Sequence, residues 1–300
     1  MNTSNSSRDP GLWVVIPVFN AWETTRKCLS ALMASDFREF HVVVVDHGTD
    51  NETADGMARE FPGYVRVSGS PELWWAGATN LGIRHAIASG ARIVMLLNND
   101  AFIEKNTIGN LLECSGRVPD AIVAPVQVSD KSGEVLFVGL RHLISLGFVG
   151  LPGPRRITPE MQRERLLAVP MIGGGRGVIV PVDVIENVGL LDDVALPHYY
   201  SDNDFYIRCK KSGVGLYVCL DSHVRLDESS TSIAHEYENL TTKEFFASFH
   251  DPRSHRNLKY LKAFFRKHYP VRSMYLIGCW LSVARYMAMY AIKRTIRSIR

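Results

Sequence analysis

Residues 12–46 read LWVVIPVFNAWETTRKCLSALMASDFREFHVVVVD, and their pattern indicates the fold class. Its two ends, residues 12–18 and 40–45, are almost continuously apolar, which is typical of β-strands covered on both faces. Between them, residues 21–34 repeat apolar side chains at helical spacing. A strand, a helix and a second strand in this order predict a βαβ unit, whose strands lie parallel in one sheet.

The same alternation continues outward from this unit to residue 97. It predicts an α/β fold with a Rossmann-like, mostly parallel central sheet flanked by helices. The predicted elements of the first half are helices at 53–61 and 79–89 and strands at 64–67 and 93–97. The less regular second half is predicted to contain strands at 121–128, 135–138, 178–180 and 215–220, a helix at 182–188, and a long loop at 140–170.

Short polar side chains follow the predicted parallel strands, at the edge where such sheets bind ligands. Asp100, with help from Asn98, is suited to hold Mg²⁺ or Mn²⁺, because these ions take oxygen ligands and often combine one or two carboxylates with phosphates. Asp46 can accept a hydrogen bond from the N3–H group of uracil or thymine. The alternative for these aspartates is ordinary cap or turn chemistry, which serves only the backbone.

Asp202 and Asp204 lie at the start of a predicted helix within residues 199–212. A carboxylate at such a position can act as the general base that deprotonates an attacking hydroxyl group. Because the two residues are two positions apart on a helix, they face in different directions. One can therefore do chemistry while the other caps the helix; the alternative is that both only cap it.

Trp74 and Trp75 stand together among small residues. Aromatic faces pack against sugar rings and bases, yet tryptophans are more often part of a core, so we expect one to line the site and one to be buried. Asn80 is either a helix cap or a ligand to a nucleotide.

These segments together resemble glycosyltransferase family 2, particularly its bacterial rhamnosyltransferase-like members. The resemblance extends from about residue 13 to residue 225. It rests on five motifs in this order: VVIPVFN at 14–20, VVVVDHGTDNET at 42–53, LWWAGATNLGI at 73–83, MLLNNDAFI at 95–103 and YYSDNDFYIRCKKSG at 199–213.

The resemblance implies a GT-A fold and an inverting transfer from a UDP- or dTDP-sugar, with dTDP-rhamnose as one candidate, to a cell-surface polysaccharide or lipid-linked glycan. It also implies Mg²⁺ or Mn²⁺ as cofactor, with Asp100 as metal ligand and Asp202 as general base. Asp204 is the second catalytic candidate and His223 the second metal candidate. The candidate nucleotide-binding residues are Pro17, Phe19, Asn20, Asp46, Trp75, Gly77, Asn80, Asn98 and Asn99.

The chain also departs from the family pattern. Asn98 stands where a full DxD motif has its first acid, Ser201 stands where the family often has Glu, and the family's histidine after the late strand has no clean match, with His223 nearby. A degenerate, carbohydrate-binding relative is therefore one alternative. A sugar-nucleotide nucleotidyltransferase is another, but it would need a Gly-rich basic loop where the chain has Phe19-Asn20-Ala21-Trp22. A dinucleotide oxidoreductase is disfavoured because no GxGxxG follows the first strand.

Charge is distributed unevenly along the chain. Twelve of the 34 Lys and Arg residues lie in 252–300, which contains no Asp or Glu, so the remainder is acidic overall. This asymmetry indicates an anionic membrane surface as partner rather than nucleic acid. Within this tail, residues 274–292 predict a helix lying in the membrane interface, ahead of a core or dimer helix and of a transmembrane span. Its predicted polar sector consists of Ser282, Arg285, Lys293, Arg297 and Arg300.

The predicted organisation is a disordered lead at 1–11, a catalytic domain at 12–235 and a helical, basic and apolar extension at 236–300. The five cysteines are widely spaced and indicate neither a disulfide framework nor a zinc site. A cytoplasmic protein at the inner face of the cell membrane is the expected location.

Overall fold

The computed structural model describes residues 11–154, 156–227 and 240–299. The first four strands are β1 (Leu12–Val18), β2 (Phe40–Asp46), β3 (Val65–Ser68) and β4 (Ile93–Leu97). They lie in the spatial order β3-β2-β1-β4, and all three neighbouring pairs are parallel. The βαβ units predicted from the alternating pattern are therefore present.

The sheet continues past β4 into strands from the second half of the chain. These are β5 (Ala101–Ile103), β6 (Ile122–Ser129), β7 (Val135–Phe137), β8 (Leu140–Leu143), β9 (Val149–Pro152), β10 (Leu166–Ala168), β11 (Arg176–Pro181) and β12 (Leu216–Leu226). The full order is β10-β12-β6-β11-β4-β1-β2-β3, in which β11 is antiparallel to both neighbours and β6 and β12 are parallel. Four of these seven neighbouring pairs are parallel, as predicted for the central sheet.

Helices cover both faces of the sheet. They are α1 (Trp22–Met33), α2 (Glu52–Glu60), α3 (Trp74–Ala88), α4 (Thr107–Arg117), α5 (Pro159–Glu164), α6 (Val182–Val188), α7 (Ser201–Lys211), α8 (Thr242–Ala247), α9 (Leu258–His268) and α10 (Tyr275–Ile299). Side chains of β1 alternate between the two layers, so that Val14 and Ile16 pack with α1, α2 and α4, whereas Trp13 and Val15 pack with α3, α7 and α9. The predicted α/β fold, with a mostly parallel central sheet flanked by helices, is confirmed.

Three predicted boundaries are wrong. α3 begins at Trp74 rather than near residue 79, and Trp74 itself has a left-handed backbone, with φ of 52°. Residues 140–170 are not a long loop: they contain the β8–β9 hairpin, α5 and β10. β12 continues six residues beyond the predicted end at residue 220. In these six residues exposed or partly exposed polar side chains alternate with buried ones, so the continuous apolar run that marked the predicted strand is absent.

The C-terminal helices pack onto the α/β body. Phe264 and Phe265 of α9 and Tyr286 and Tyr290 of α10 belong to the same buried cluster as the α7 side of the sheet. The predicted boundary between the catalytic domain and the C-terminal extension, at 235/236, lies outside the described residues. So do the predicted disordered lead, apart from Gly11, and the side chains of Arg297 and Arg300.

Candidate active site

The candidate site lies at the carboxyl ends of β1, β2, β3 and β4. Because β11 runs antiparallel to β4, the glycine segment before it, residues 173–175, meets the same edge. The N–H group of Asn98 donates to the carbonyl of Gly175 at 2.8 Å, which fixes the exit of β4 to this segment. Polar side chains distant in the sequence therefore converge at one open edge.

Asp46 closes the β2 end of the site and is almost fully buried. Its Oδ2 accepts a hydrogen bond from Arg66 Nε at 2.9 Å, and a terminal guanidinium nitrogen of Arg66 forms an ion pair with the same oxygen at 2.8 Å. Its Oδ1 accepts a long hydrogen bond, 3.3 Å, from Gly48 N–H. A carboxylate oxygen has more acceptor capacity than this bond uses, so Oδ1 can still receive a donor from a ligand.

The β1 exit lies directly beside Asp46. Pro17 is buried inside the strand opposite Val45, whereas Phe19 is exposed and its ring lies 5.3 Å from that of His47. Asn20, with φ of 55°, holds the loop after β2 through hydrogen bonds with Thr49. Of the residues predicted here, Phe19 is the one that offers an exposed face to a ligand.

The β4 exit carries Asn98, Asn99 and Asp100, all partly exposed. Asn98 accepts a hydrogen bond from the indole N–H group of Trp75 at 2.9 Å, and Asn99 donates to Thr25 at 3.0 Å. Trp75 therefore contacts the segment that contains Asp100, the candidate metal ligand. Neither Trp74 nor Trp75 is fully buried, so the predicted division into one site tryptophan and one core tryptophan is not observed.

Asp100 and His223, the two predicted metal ligands, lie too far apart to share one ion. β5 and β12 pair in antiparallel register, and the N–H group of Asp227 donates to the carbonyl of Asp100 at 3.2 Å, which continues that ladder. His223 lies four residues earlier on β12, about 13 Å along the strand. Its Nδ1 lies 3.6 Å from Oε2 of Glu104.

Sequence reasoning missed Asp227, which the ladder sets directly opposite Asp100. Cross-strand partners of this kind have Cβ atoms about 5 Å apart, so the register puts two aspartates side by side at this edge. Among the described residues, no group of three or more His, Cys, Asp and Glu side chains is arranged to hold a metal ion. Two carboxylates supplemented by phosphate oxygens nevertheless form a donor set that fits Mg²⁺ or Mn²⁺.

Asp202 faces the glycine segment from the first turn of α7. Its Oδ2 accepts a hydrogen bond from Gly174 N–H at 3.1 Å, and its Oδ1 accepts one from the Asn203 amide at 2.8 Å. Burial raises the pKa of Asp202 above its ordinary value, against the lowering effect of these donors and of the Arg176 charge. A carboxylate with a raised pKa is suited to accept a proton.

Asp204 has a different environment, with no exposed surface. Lys267 lies 2.5 Å, Arg208 2.8 Å and His268 Nε2 2.8 Å from its oxygens. Burial alone would raise the pKa of Asp204, but the hydrogen bonds from these three partners outweigh it and hold the pKa well below its ordinary value. Since Asp204 is enclosed by cations and away from solvent, the structure favours a structural role over the predicted catalytic one.

His268 is the neutral partner of Asp204. Burial lowers the pKa of His268, despite the hydrogen bond with Asp204 that raises it. The imidazole is therefore neutral at pH 7 and donates its Nε2–H group to Asp204, while Lys211 lies 3.3 Å from Nδ1. The positive charges that balance Asp204 come from Lys267 and Arg208.

Two predicted nucleotide-binding residues have structural roles instead. Asn80 is buried within α3; its amide donates to Leu191 O and Asp193 Oδ2 and accepts from Leu191 N. These contacts use the amide to tie α3 to the segment before α7. Gly77 is also buried in α3, where an added Cβ would lie 3.2 Å from the Leu73 side chain. Close packing accounts for this glycine.

Arg176 is a second residue that sequence reasoning missed. It is the first residue of β11, opposite Leu97 of β4, and its guanidinium donates to Gln127 at 3.1 Å. Its Nε is buried without a hydrogen-bond partner among the described residues. The charge of Arg176 also acts on Asp202. An arginine directly after three glycines, at the open edge of a sheet, is the signal that could have identified it.

The sheet order and the carboxylates at its open edge define a fold of the GT-A glycosyltransferase type. The structure of GalNAc-T7 with UDP, GalNAc and Mn²⁺ shares this fold, with a TM-score of 0.58 and 15% sequence identity; the match covers 72% of this chain and 43% of that one. The structure of S. aureus TarS 1–349 also shares it, with a TM-score of 0.55 and 14% identity; that match covers 96% of this chain and 92% of TarS 1–349. The chain belongs to glycosyl transferase family 2, whose model matches residues 13–179, more than half of the sequence.

Curated relatives are consistent with this family. An uncharacterized protein of Mycobacterium tuberculosis is 29% identical over 213 residues, covering 69% of this chain and 70% of that protein. The galactofuranosyltransferase GlfT1 of Mycolicibacterium smegmatis is 24% identical over 198 residues, covering 64% and 63%. The predicted family and fold are confirmed, and the family places the chain among the enzymes of glycosyl transfer.

Proposed function

We propose that the protein is an inverting, metal-dependent enzyme that moves a sugar from a UDP- or dTDP-sugar, dTDP-rhamnose among them, to a hydroxyl group of a glycan. The observation that carries this proposal is the meeting of two candidate groups on the glycine segment 173–175. Gly174 N–H donates to Asp202, and Gly175 O accepts from Asn98 N–H. The candidate base is thus linked through adjacent residues to the strand exit that carries Asp100.

Asp202 would act as the general base. It takes the proton from the acceptor hydroxyl as that oxygen bonds to the anomeric carbon, while the bond from this carbon to the phosphate oxygen breaks. The nucleoside diphosphate leaves with the electron pair, and a single in-line displacement inverts the configuration. The raised pKa of Asp202 makes it a stronger base than a solvated aspartate, and the donors Gly174 and Asn203 orient its oxygens.

Asp100 and Asp227 would hold the divalent cation together with the phosphates of the donor. The cation, when bound, supplies charge neutralisation for the leaving diphosphate. The side-by-side register of these two residues supports the assignment. The Mn²⁺ in the GalNAc-T7 structure, which shares the fold, supports a divalent ion in general.

Asp46 supports a pyrimidine nucleotide as the carrier. Arg66 holds one of its carboxylate oxygens, and the other can accept the N3–H of uracil or thymine. For the acceptor, we propose a cell-surface polysaccharide or a lipid-linked glycan. An acceptor carried on lipid is met at a membrane, and we therefore propose a peripheral location at its cytoplasmic face.

Nucleotide-dependent thermal stability tests the donor assignment. We expect UDP or dTDP with Mn²⁺, but neither GDP nor NAD, to raise the melting temperature, since a ligand at a hundred times its Kd stabilises a fold by about 2.7 kcal/mol. Asp46→Asn should abolish this shift, and Asp50→Asn, an exposed aspartate four residues away, should retain it. Asp100→Asn should remove the dependence on Mn²⁺. A pyrimidine shift that survives Asp46→Asn would reject the assigned contact.

A degenerate glycosyltransferase that only binds carbohydrate is the second candidate. Asn98 and Ser201 at acid positions favour it, as does the small number of metal-ligating groups among the described residues. Release of nucleoside diphosphate from the bound donor discriminates the two. Wild-type protein that binds the donor without any turnover, with glycan acceptors present, would favour the binding module.

A further inference from the structure

The helix α10 directs its polar side towards the body of the protein. In α10, Ser282 has no exposed surface and donates to the carbonyl of Gly147 at 2.7 Å, and Arg285 donates to the same carbonyl at 3.3 Å. Tyr286 and Tyr290 are buried against the body. Two residues of the predicted polar sector, Ser282 and Arg285, therefore attach the helix to the protein.

The opposite side of α10 is apolar and exposed. At 100° per residue, its large side chains fall within a sector of about 160°, so they lie on one side of the helix. Trp280, near the centre, exposes 71% of its surface. This side of the helix, which we call the outer face, consists of Leu276, Ile277, Trp280, Leu281, Met287 and Ile292.

Basic side chains border the outer face. Arg272 is exposed just before α10, and Arg294 is exposed towards its end. Exposed Lys262 of the neighbouring helix α9 acts electrostatically on Cys279 of α10, which puts a third cation alongside. No Asp or Glu occurs anywhere in residues 252–300. Within residues 252–300 the outer face thus has only basic charged neighbours. The acid Glu244 of α8 acts on Tyr290, which lies on the inner side of α10.

We propose that the outer face of α10 docks the protein on an anionic lipid bilayer, with the helix lying in the interface and Trp280 inserted among the lipids. Helices with an apolar face and flanking Lys or Arg bind such surfaces, since acyl chains accept the apolar side and anionic head groups attract the cations. A second copy of the chain fits less well, because a two-fold interface would bring the same basic border against itself.

A membrane-spanning arrangement fits the contacts less well than docking. By length and composition, the segment Arg272–Thr295 could cross a bilayer, and 22% of its apolar window is buried in the protein. Spanning would remove Ser282 and Arg285 from Gly147 and place the Arg285 charge within the hydrocarbon. It would also break the contact between the hydroxyl groups of Tyr286 and Tyr200, 3.1 Å apart. Docking leaves all these contacts intact.

Vesicle co-sedimentation of the full chain tests the proposal. We expect binding to phosphatidylcholine vesicles that contain about 30 mol% phosphatidylglycerol, weaker binding to pure phosphatidylcholine, and loss of binding at high salt. Trp280→Ala should weaken the partitioning about tenfold, as expected for one large apolar side chain, and Ile277→Ser with Trp280→Ser should abolish it. Met33→Ala, which removes an exposed apolar side chain from α1 in the opposite layer, should have no effect.

Three controls make the result unambiguous. Melting temperatures of the outer-face variants should equal that of the wild type, because the substituted side chains are exposed. Asp202→Asn should bind vesicles as well as the wild type does, so that failure of the transfer chemistry and failure of docking are separated. Washing with alkaline carbonate should release the bound protein.

Four outcomes would overturn the proposal. The first two are absence of wild-type binding to the anionic vesicles and unchanged binding of the double variant. The third is resistance to carbonate extraction, which would indicate a spanning helix. The fourth is a solution dimer that Trp280→Ala dissociates, which would make the outer face a subunit interface.

Discussion

Asp202 and Asp204 lie two residues apart in the first turn of α7, but the chain surrounds them in opposite ways. Asp202 meets neutral donors, Gly174 N–H and the Asn203 amide, and burial raises its pKa. Burial acts in the same direction on Asp204, yet its hydrogen-bonded neighbours hold the pKa well below the ordinary value. The comparison teaches that neighbouring cations, rather than burial, separate a structural carboxylate from one that is ready to take a proton.

The largest expected effect is on turnover. Asp202→Asn removes the proposed base, and we expect turnover to fall about 10²- to 10⁴-fold while the Kd for the nucleotide is unchanged. Asp183→Asn, an exposed aspartate in the first turn of α6, is the matched control and should keep full turnover. Initial rates of nucleoside diphosphate release provide the measurement. Full turnover in Asp202→Asn would assign the base to another group.

The next effect is on stability. Asp204→Asn removes the counter-charge of Arg208 and one of the two carboxylates beside Lys267, which keeps its ion pair with Asp192 at 2.9 Å. We expect a loss of about 3 kcal/mol in the free energy of unfolding, the low end for a buried pair, because Lys267 retains this partner. Denaturant unfolding measures it.

Asp202→Asn should not destabilise the protein at neutral pH, because the raised pKa means that folding disfavours the ionised carboxylate. Equal losses in the two variants would abolish the distinction between the two aspartates.

Acid should separate activity from stability. The proposed base must be ionised, so turnover should fall as the pH decreases through the raised pKa of Asp202, above the ordinary 3.8 of an aspartate. The folded pKa of Asp204 is lowered, so its stabilisation is present above the ordinary aspartate pKa and is lost only as the pH falls further towards the folded value. A pH–rate profile recorded beside circular dichroism tests this order. Activity and folding that disappear together would contradict it.

The smallest expected effect concerns the neutral member of the Asp204 group. His268→Gln should cost only about 1 kcal/mol of unfolding free energy, because the imidazole is an uncharged donor at pH 7 and a glutamine amide can also donate. Denaturant unfolding at neutral pH is again the measurement. A loss as large as that of Asp204→Asn would mean that His268 carries a charge in the folded protein.

The first half of the fold could be predicted because its signals are local. Each of the strands β1, β2 and β4 is a short apolar run, and its exit residue follows it directly in the sequence, so Asp46 and Asp100 could be placed at one edge. The hairpin of β8 and β9 has no such signal: it depends on left-handed backbone conformations at Gly147, with φ of 80°, and at Phe148, with φ of 59°.

The missed part of the site depends on pairing between distant segments. Asp227 reaches Asp100 only because three-residue β5 pairs with the end of β12, whose alternating polar side chains resemble a loop in the sequence. His223 has the more familiar metal-binding side chain, but the same register moves it to Glu104. A strand pairing of this kind cannot be read from spacing along one chain.

Tyr200 connects the C-terminal helix α10 to the candidate active site, and this contact limits how the enzyme can be shortened. This residue immediately precedes α7 with a left-handed backbone, φ of 69°, and its hydroxyl contacts that of Tyr286. Cutting the chain before α10 would therefore remove this partner of the Tyr200 hydroxyl, which also donates a hydrogen bond to the carbonyl of His255 at 2.6 Å. Because the helix of Asp202 starts from Tyr200, a truncated protein would report on catalysis and membrane attachment at once. Replacing Trp280 and its outward neighbours with lysine or glutamate instead should yield a detergent-free enzyme for donor screening, with Tyr286 still in place.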